Sequence, residues 1–102
     1  MICELMSAPE LASGIGKNLR LARAARGLRQ EDLALASGAS VQAIKNLEGG
    51  GKVELITFLK VVQALNLARG VWESCQPQAQ TLDEIERIEA ARATASRVRA
   101  RL

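Results

Sequence analysis

The chain has 102 residues, 14 Lys and Arg against 11 Asp and Glu, no histidine and two cysteines. That is one small domain with room for an appendage, and 48% apolar residues are enough for a core. The missing histidine, and a Cys3 and Cys75 too far apart for a CxxC, argue against zinc and haem sites, so no cofactor is expected and both thiols read as structural or incidental in a reducing compartment.

The aromatic residues are Phe58 and Trp72, so the core must be aliphatic. Leu and Ala dominate and β-branched residues are few, which favours an all-α fold. The net charge of +3 and pI near 9.3 suit a polyanionic partner without requiring one. No run reaches the roughly 18 apolar residues that span a bilayer, and the N-terminus lacks a basic stretch followed by an apolar one. A cytoplasmic protein without a membrane partner is expected.

Residues 1–13 read as a flexible N-terminal arm: Pro9 suits a turn, and Gly14 and Gly16 discourage an extended helix. Ile15 to Arg26 is the first firm helix. Ile15, Leu19, Ala22 and Ala25 form one apolar stripe, and Lys17, Arg20, Arg23 and Arg26 recur every three residues on the neighbouring face. Gly27 ends this helix and Leu28 turns back toward the core.

Gln30 to Glu48 reads as two short helices around a tight turn. The first, Gln30 to Ser37, offers Leu33, Ala34 and Ala36 for packing, with Ala34 small where the helices must approach closely. Gly38 stands where a helix stops in a left-handed conformation, and Ser40 is placed to cap the next helix. The second, Val41 to Glu48, carries Ile44 and Leu47 on one face. Helix, glycine turn and capped helix form the helix-turn-helix pattern, and the second helix is the right size for a DNA major groove. Beside such a motif, Lys17 and Arg20 become candidates for phosphate contact.

Gly49-Gly50-Gly51-Lys52 lacks the GxxxxGK[ST] spacing of a phosphate loop and reads as a turn with bare backbone N–H groups, leaving Lys52 near the DNA backbone. Leu55 to Leu65 is a helix whose Leu55, Phe58, Leu59, Val62 and Leu65 make a core-facing stripe, stopped at Asn66 with Leu67 as a core plug. Arg69 to Cys75 is a short fifth helix with Trp72 in the core or a subunit interface. The polar linker Gln76 to Gln80 closes a compact domain over 14–77. Within 78–102, a capping box at Thr81 and Glu84 opens a C-terminal amphipathic helix with the thin stripe Leu82, Ile85, Ile88, Ala91 or Ala95, Val98 and Leu102. Acidic residues load its first half and arginines its second, which complements the helix dipole. Three placements are open: against a second subunit, on a partner, or along the domain.

From about Ile15 to Leu67, the string LRLARAARGLRQEDLALASGASVQAIKNLEGG resembles the Xre-like helix-turn-helix family of lambda-repressor and Cro-like regulators. The resemblance implies a compact five-helix lambda-repressor-like domain, here with an additional C-terminal helix. It implies that Gln30 contacts a phosphate and braces the reading helix, and that Ser40 reaches phosphate or base. Val41, Gln42, Lys45 and Asn46 would occupy outward positions of the recognition helix. Gln42 and Asn46 are the best base readers, because an amide donates and accepts together against adenine. Val41 departs from the usual polar residue and could touch a thymine methyl; Lys45 could reach guanine or a phosphate. Arg23 and Glu48 match a buried structural ion pair. Glu54 departs from the usual Ser or Asp cap. The stretch through LKVVQALNL to Pro77 also looks like the HipB-like antitoxins that partner HipA-type kinases, on architecture alone.

The function expected is a sequence-specific DNA-binding repressor acting as a homodimer on a palindromic site in double-stranded DNA, with Lys17, Arg20 and Lys52 setting register through phosphates. The alternative is an antitoxin that holds a protein toxin and regulates its own operon. An enzyme finds no support: neither cysteine has an activating partner in sequence, and Glu84, Glu86 and Glu89 read as a solvated face.

Overall fold

The computed structural model describes residues 3–101, with side chains to residue 97. A 3-10 turn over Cys3–Leu5 precedes six helices: α1 (Ala8–Ala25), α2 (Gln30–Ser37), α3 (Val41–Glu48), α4 (Leu55–Ala64), α5 (Ala68–Ser74) and α6 (Leu82–Arg101). The described residues contain no strand, and the fold is all-α. The chain divides into two compact units, 1–71 and 72–102.

Residues 8–13 are not a loose arm. Ser7 caps α1: its Oγ accepts from the Glu10 N–H at 3.2 Å and donates to Glu10 Oε1 at 3.0 Å. Pro9 lies in the first turn, where no N–H is needed. The helix then runs through Gly14 and Gly16. Gly16 is buried against the end of α3, where a Cβ would strike the carbonyl oxygens of Leu47 and Glu48, the latter at 2.8 Å. This glycine marks where two backbones meet; it does not break the helix.

Three helices stop the same way. The left-handed residues Gly27 (φ 69°), Gly50 (φ 78°) and Asn66 (φ 59°) follow α1, α3 and α4. At each, the next residue closes a wide turn: Leu28 N–H donates to Arg23 O, Gly51 N–H to Asn46 O and Leu67 N–H to Val62 O. The glycine turn therefore does not present bare N–H groups. Gly49, Gly50 and Gly51 donate theirs to Lys45, Leu47 and Asn46 carbonyls.

The core of the first unit is Leu19, Leu33, Ala34, Ile44, Leu47, Val61 and Leu65, where α1 packs on α3, and α2 on both α3 and α4. Val62 is equally buried. The stripe expected on α4 is displaced toward its C-terminal end. Val61 joins the core, Leu55 is 68% exposed, and Phe58 and Leu59 are half-buried. Periodicity finds a face, but neighbouring helices decide how far along it the cover extends. Leu67 is likewise exposed rather than a core plug, Ala25 is exposed, and Leu28 is half-buried. Glu54 stands before α4 without a side-chain cap bond.

In the second unit, Trp72 is 72% exposed, which overturns its core reading. The packing boundary after Val71 falls earlier than the expected end of the domain at 77. Thr81 Oγ1 accepts from Glu84 N–H at 3.2 Å, but the Glu84 carboxylate reaches Gln80 N–H at 2.9 Å, so the box closes one residue early. Pro77 and Ala79 line a shallow pocket with Ile85 and Ile88 of α6. Leu102 lies outside the described residues, as does the side chain of Val98.

Candidate nucleic-acid interface

α2 and α3 are joined by a turn of three residues. Gly38 has φ 78° and returns its N–H to Ala34 O at 2.9 Å. Ser40 Oγ accepts from Ala43 N–H at 3.0 Å and so caps α3. The N-terminus of α2 is held by Asp32, whose carboxylate takes the Arg29 N–H at 2.8 Å and the Arg29 guanidinium at 3.2 Å. The hydrogen bond from the Arg29 guanidinium, reinforced by that backbone N–H, holds the Asp32 carboxyl below its ordinary range.

Ile44 and Leu47 are buried and fasten α3 to the core, leaving Gln42, Lys45 and Asn46 exposed on the other side. Gln42 Nε2 donates to Asn46 Oδ1 at 3.0 Å, one turn along the helix. Val41 does not sit fully outward as expected. It is half-buried and packs against the core cluster, because the first turn of α3 meets the core through this residue. Ser40 is exposed with its hydroxyl engaged in the cap.

The end of α3 is tied to α1 and α2 by Glu48. Arg23 Nε donates to Glu48 Oε2 at 2.6 Å and Nη2 to Oε1 at 3.0 Å, a two-pronged ion pair. Arg23 Nη1 also donates to Leu28 O at 2.8 Å. Gln30 Nε2 donates to Glu48 Oε1 at 3.1 Å, so Gln30 braces the same carboxylate. Both charged side chains are largely buried, at 12% and 6% exposure. Burial alone pushes the Glu48 carboxyl up. The hydrogen bonds from Arg23 and Gln30, with the charges of Arg23 and Arg20, outweigh it and hold the group below the ordinary carboxylate range.

Around this anchor lies an open cleft of about 550 Å³ lined by Arg20, Arg23, Arg29, Gln30, Lys45 and Gly49, with Glu31 and Glu48. The structure thus brings Arg20, Gln30 and Lys45 together from three helices. It does not bring Lys17 or Lys52 there. Lys17 is exposed on α1, and Lys52 borders an apolar groove with Pro9, Val53 and Phe58. Arg26, the last of the basic row, donates to Ala64 O at 3.2 Å. Sequence reading passed over Arg29, although its place directly before Gln30 at the start of α2 was the available signal.

No curated protein matches this chain. A family model described as helix-turn-helix matches residues 19–72, from the middle of α1 into α5 and slightly more than half of the sequence. The chain therefore belongs to the Xre and lambda-repressor-like helix-turn-helix family of DNA-binding transcriptional regulators.

Proposed function

We propose that the protein is a sequence-specific regulator that binds a palindromic operator as a homodimer and represses transcription. The observation that carries this reading is α3 itself: a capped helix fastened by Ile44 and Leu47, with Gln42, Lys45 and Asn46 exposed on its outer face. Side chains of this kind read base edges in the major groove, where an amide can pair with adenine and a lysine with guanine. Two such helices in a dimer would enter successive grooves about 34 Å apart. Arg20, Gln30 and Lys45 around the cleft, and Lys17 and Lys52 outside it, supply the phosphate contacts, and Ser40 adds its backbone-side cap at the helix entrance. The domain that carries the activity is the unit ending near Val71, followed by the linker and α6.

The test is selection of bound sequences from a random duplex pool, with and without about 200 mM salt. A palindromic consensus that survives salt supports the reading. A pool that stays random, or binding that disappears with salt, leaves only phosphate attraction.

The second reading is an antitoxin that holds a protein toxin through its C-terminal helix or tail. On α6, Leu82 is 69% and Ile85 43% exposed, apolar side chains within reach of such a partner. A kinase-sized protein that co-purifies, and is lost when the chain is cut after Pro77, would support it.

A further inference from the structure

Charge runs along α6 in two blocks. Residues 82–91 hold Asp83, Glu84, Glu86 and Glu89 against the single base Arg87. Residues 92–102 hold Arg92, Arg97, Arg99 and Arg101 and no acid. The apolar stripe, by contrast, reads nearly the same from either end about residue 93. Ala91 and Ala95 stand two positions to either side, and Ile88 and Val98 five. Charge reverses across that same point, with Glu89 and Arg97 four positions to either side. Most of the stripe is open along the described part of the helix. Leu82 is 69% and Ile85 43% exposed, and Ala91 and Ala95 are exposed. Ile88 is half-buried, in the shallow pocket that Pro77 and Ala79 border.

We propose that α6 pairs with α6 of a second copy of this chain in antiparallel orientation, the acidic half of each against the basic half of the other. This rests on the homodimer reading and deepens it by naming the surface that joins the copies. Two identical helices related by a twofold axis present the same face to each other, so that face must complement itself. An antiparallel pair centred near residue 93 meets this condition. Ala91 of one copy lies across from Ala95 of the other, where small residues let the backbones approach, and Ile88 lies across from Val98. A parallel pair would set acid against acid and arginine against arginine, and like charges across an interface suppress that arrangement. Each exposed ion pair contributes little by itself. The apolar stripe supplies the burial, and the charges supply the direction. At a rise of about 1.5 Å per residue, the 20 residues of α6 make a rod about 30 Å long. In the antiparallel pair the two linkers leave from opposite ends of this rod, a separation close to the roughly 34 Å between successive major grooves. A parallel pair would bring both linkers to one end.

The experiment measures self-association of the full chain by analytical ultracentrifugation, with circular dichroism to check that each variant keeps its helices. The native chain should be a dimer. Glu89→Arg and Arg99→Glu should each weaken it by about tenfold, because each reversal acts at two places related by the twofold axis. The two reversals in one chain should restore the affinity to within about threefold of native. Direction is read by oxidative cross-linking in a chain carrying Cys3→Ser and Cys75→Ser. Glu89→Cys and Arg99→Cys should each link poorly to themselves and efficiently to one another when mixed, since a disulfide needs its two Cα atoms within about 7 Å. A native dimer whose affinity neither single reversal changes would overturn the α6 pairing and leave the homodimer reading standing. So would a dimer in which Glu89→Cys and Arg99→Cys each link to themselves. A monomeric native chain would overturn the homodimer reading, and the pairing with it.

Discussion

Arg23 in α1 and Glu48 at the end of α3 are 25 residues apart in the chain and meet through two hydrogen bonds, the shorter 2.6 Å. They lock α3 to α1, the helix that carries Lys17 and Arg20, so the side chains proposed to read bases and to hold phosphates share one frame. Because both side chains are largely buried, removing one strands the other. Arg23→Ala should cost about 3 kcal/mol in urea unfolding, with a cost of similar size for Glu48→Ala. A loss below about 0.5 kcal/mol, the level of a solvated surface pair, would contradict this.

The same pair sets a pH dependence. The folded Glu48 carboxyl lies below its unfolded value, so its stabilisation is complete above the unfolded carboxylate range and is lost as pH falls through the folded value. Asp32 is shifted in the same direction. Stability should be flat from neutral pH down to the ordinary carboxylate range and fall below it. Glu48→Gln should lower the plateau and flatten that fall, measured as denaturation midpoint against pH.

Gly16 offers a backbone test. A methyl group there meets the main-chain oxygens of Leu47 and Glu48, which cannot swing aside as a flexible side chain would. Gly16→Ala should destabilise by about 1–3 kcal/mol despite alanine's better helix propensity, with the loss read in urea unfolding. Gly14→Ala, whose methyl would sit 3.8 Å from the end of Met6, should be neutral or stabilising. A stabilised Gly16→Ala would show that α1 and α3 do not approach this closely.

Ile44 is fully buried and lies beside the exposed Gln42, Lys45 and Asn46 on α3. Ile44→Ala should cost about 2–5 kcal/mol in stability. DNA affinity should fall only as far as the folded fraction falls.

Phosphate contacts have their own signature. Lys17→Ala or Arg20→Ala should weaken binding to all sequences alike and reduce the slope of log affinity against log salt by about one. Gln42→Ala should instead cost about 1–3 kcal/mol on the selected site and relax its base preference. Binding to random and selected duplexes across a salt series separates the two behaviours.

Much of this was legible in the residues. Gly38, Ser40, Ile44 and Leu47 act through bonds and periodicities within a few positions, so the turn, the cap and the inner face of α3 follow from local chemistry. The same holds for Gly27 and Asn66, which end helices by their own backbone preferences. What the sequence could not decide depended on which surfaces meet. Gly14 and Gly16 look alike as helix-weakening residues, and only the approach of α3 makes Gly16 a contact point. The three glycines after Glu48 looked open until the end of α3 claimed their N–H groups. Val41 turned partly inward, Val61 replaced Leu55 in the core, and Trp72 stayed exposed, because burial is set by neighbouring elements, not by the pattern of one helix. The chain by itself determined the helices and most of their ends, the start of α1 excepted; tertiary packing decided which residues each helix hides and which it leaves exposed.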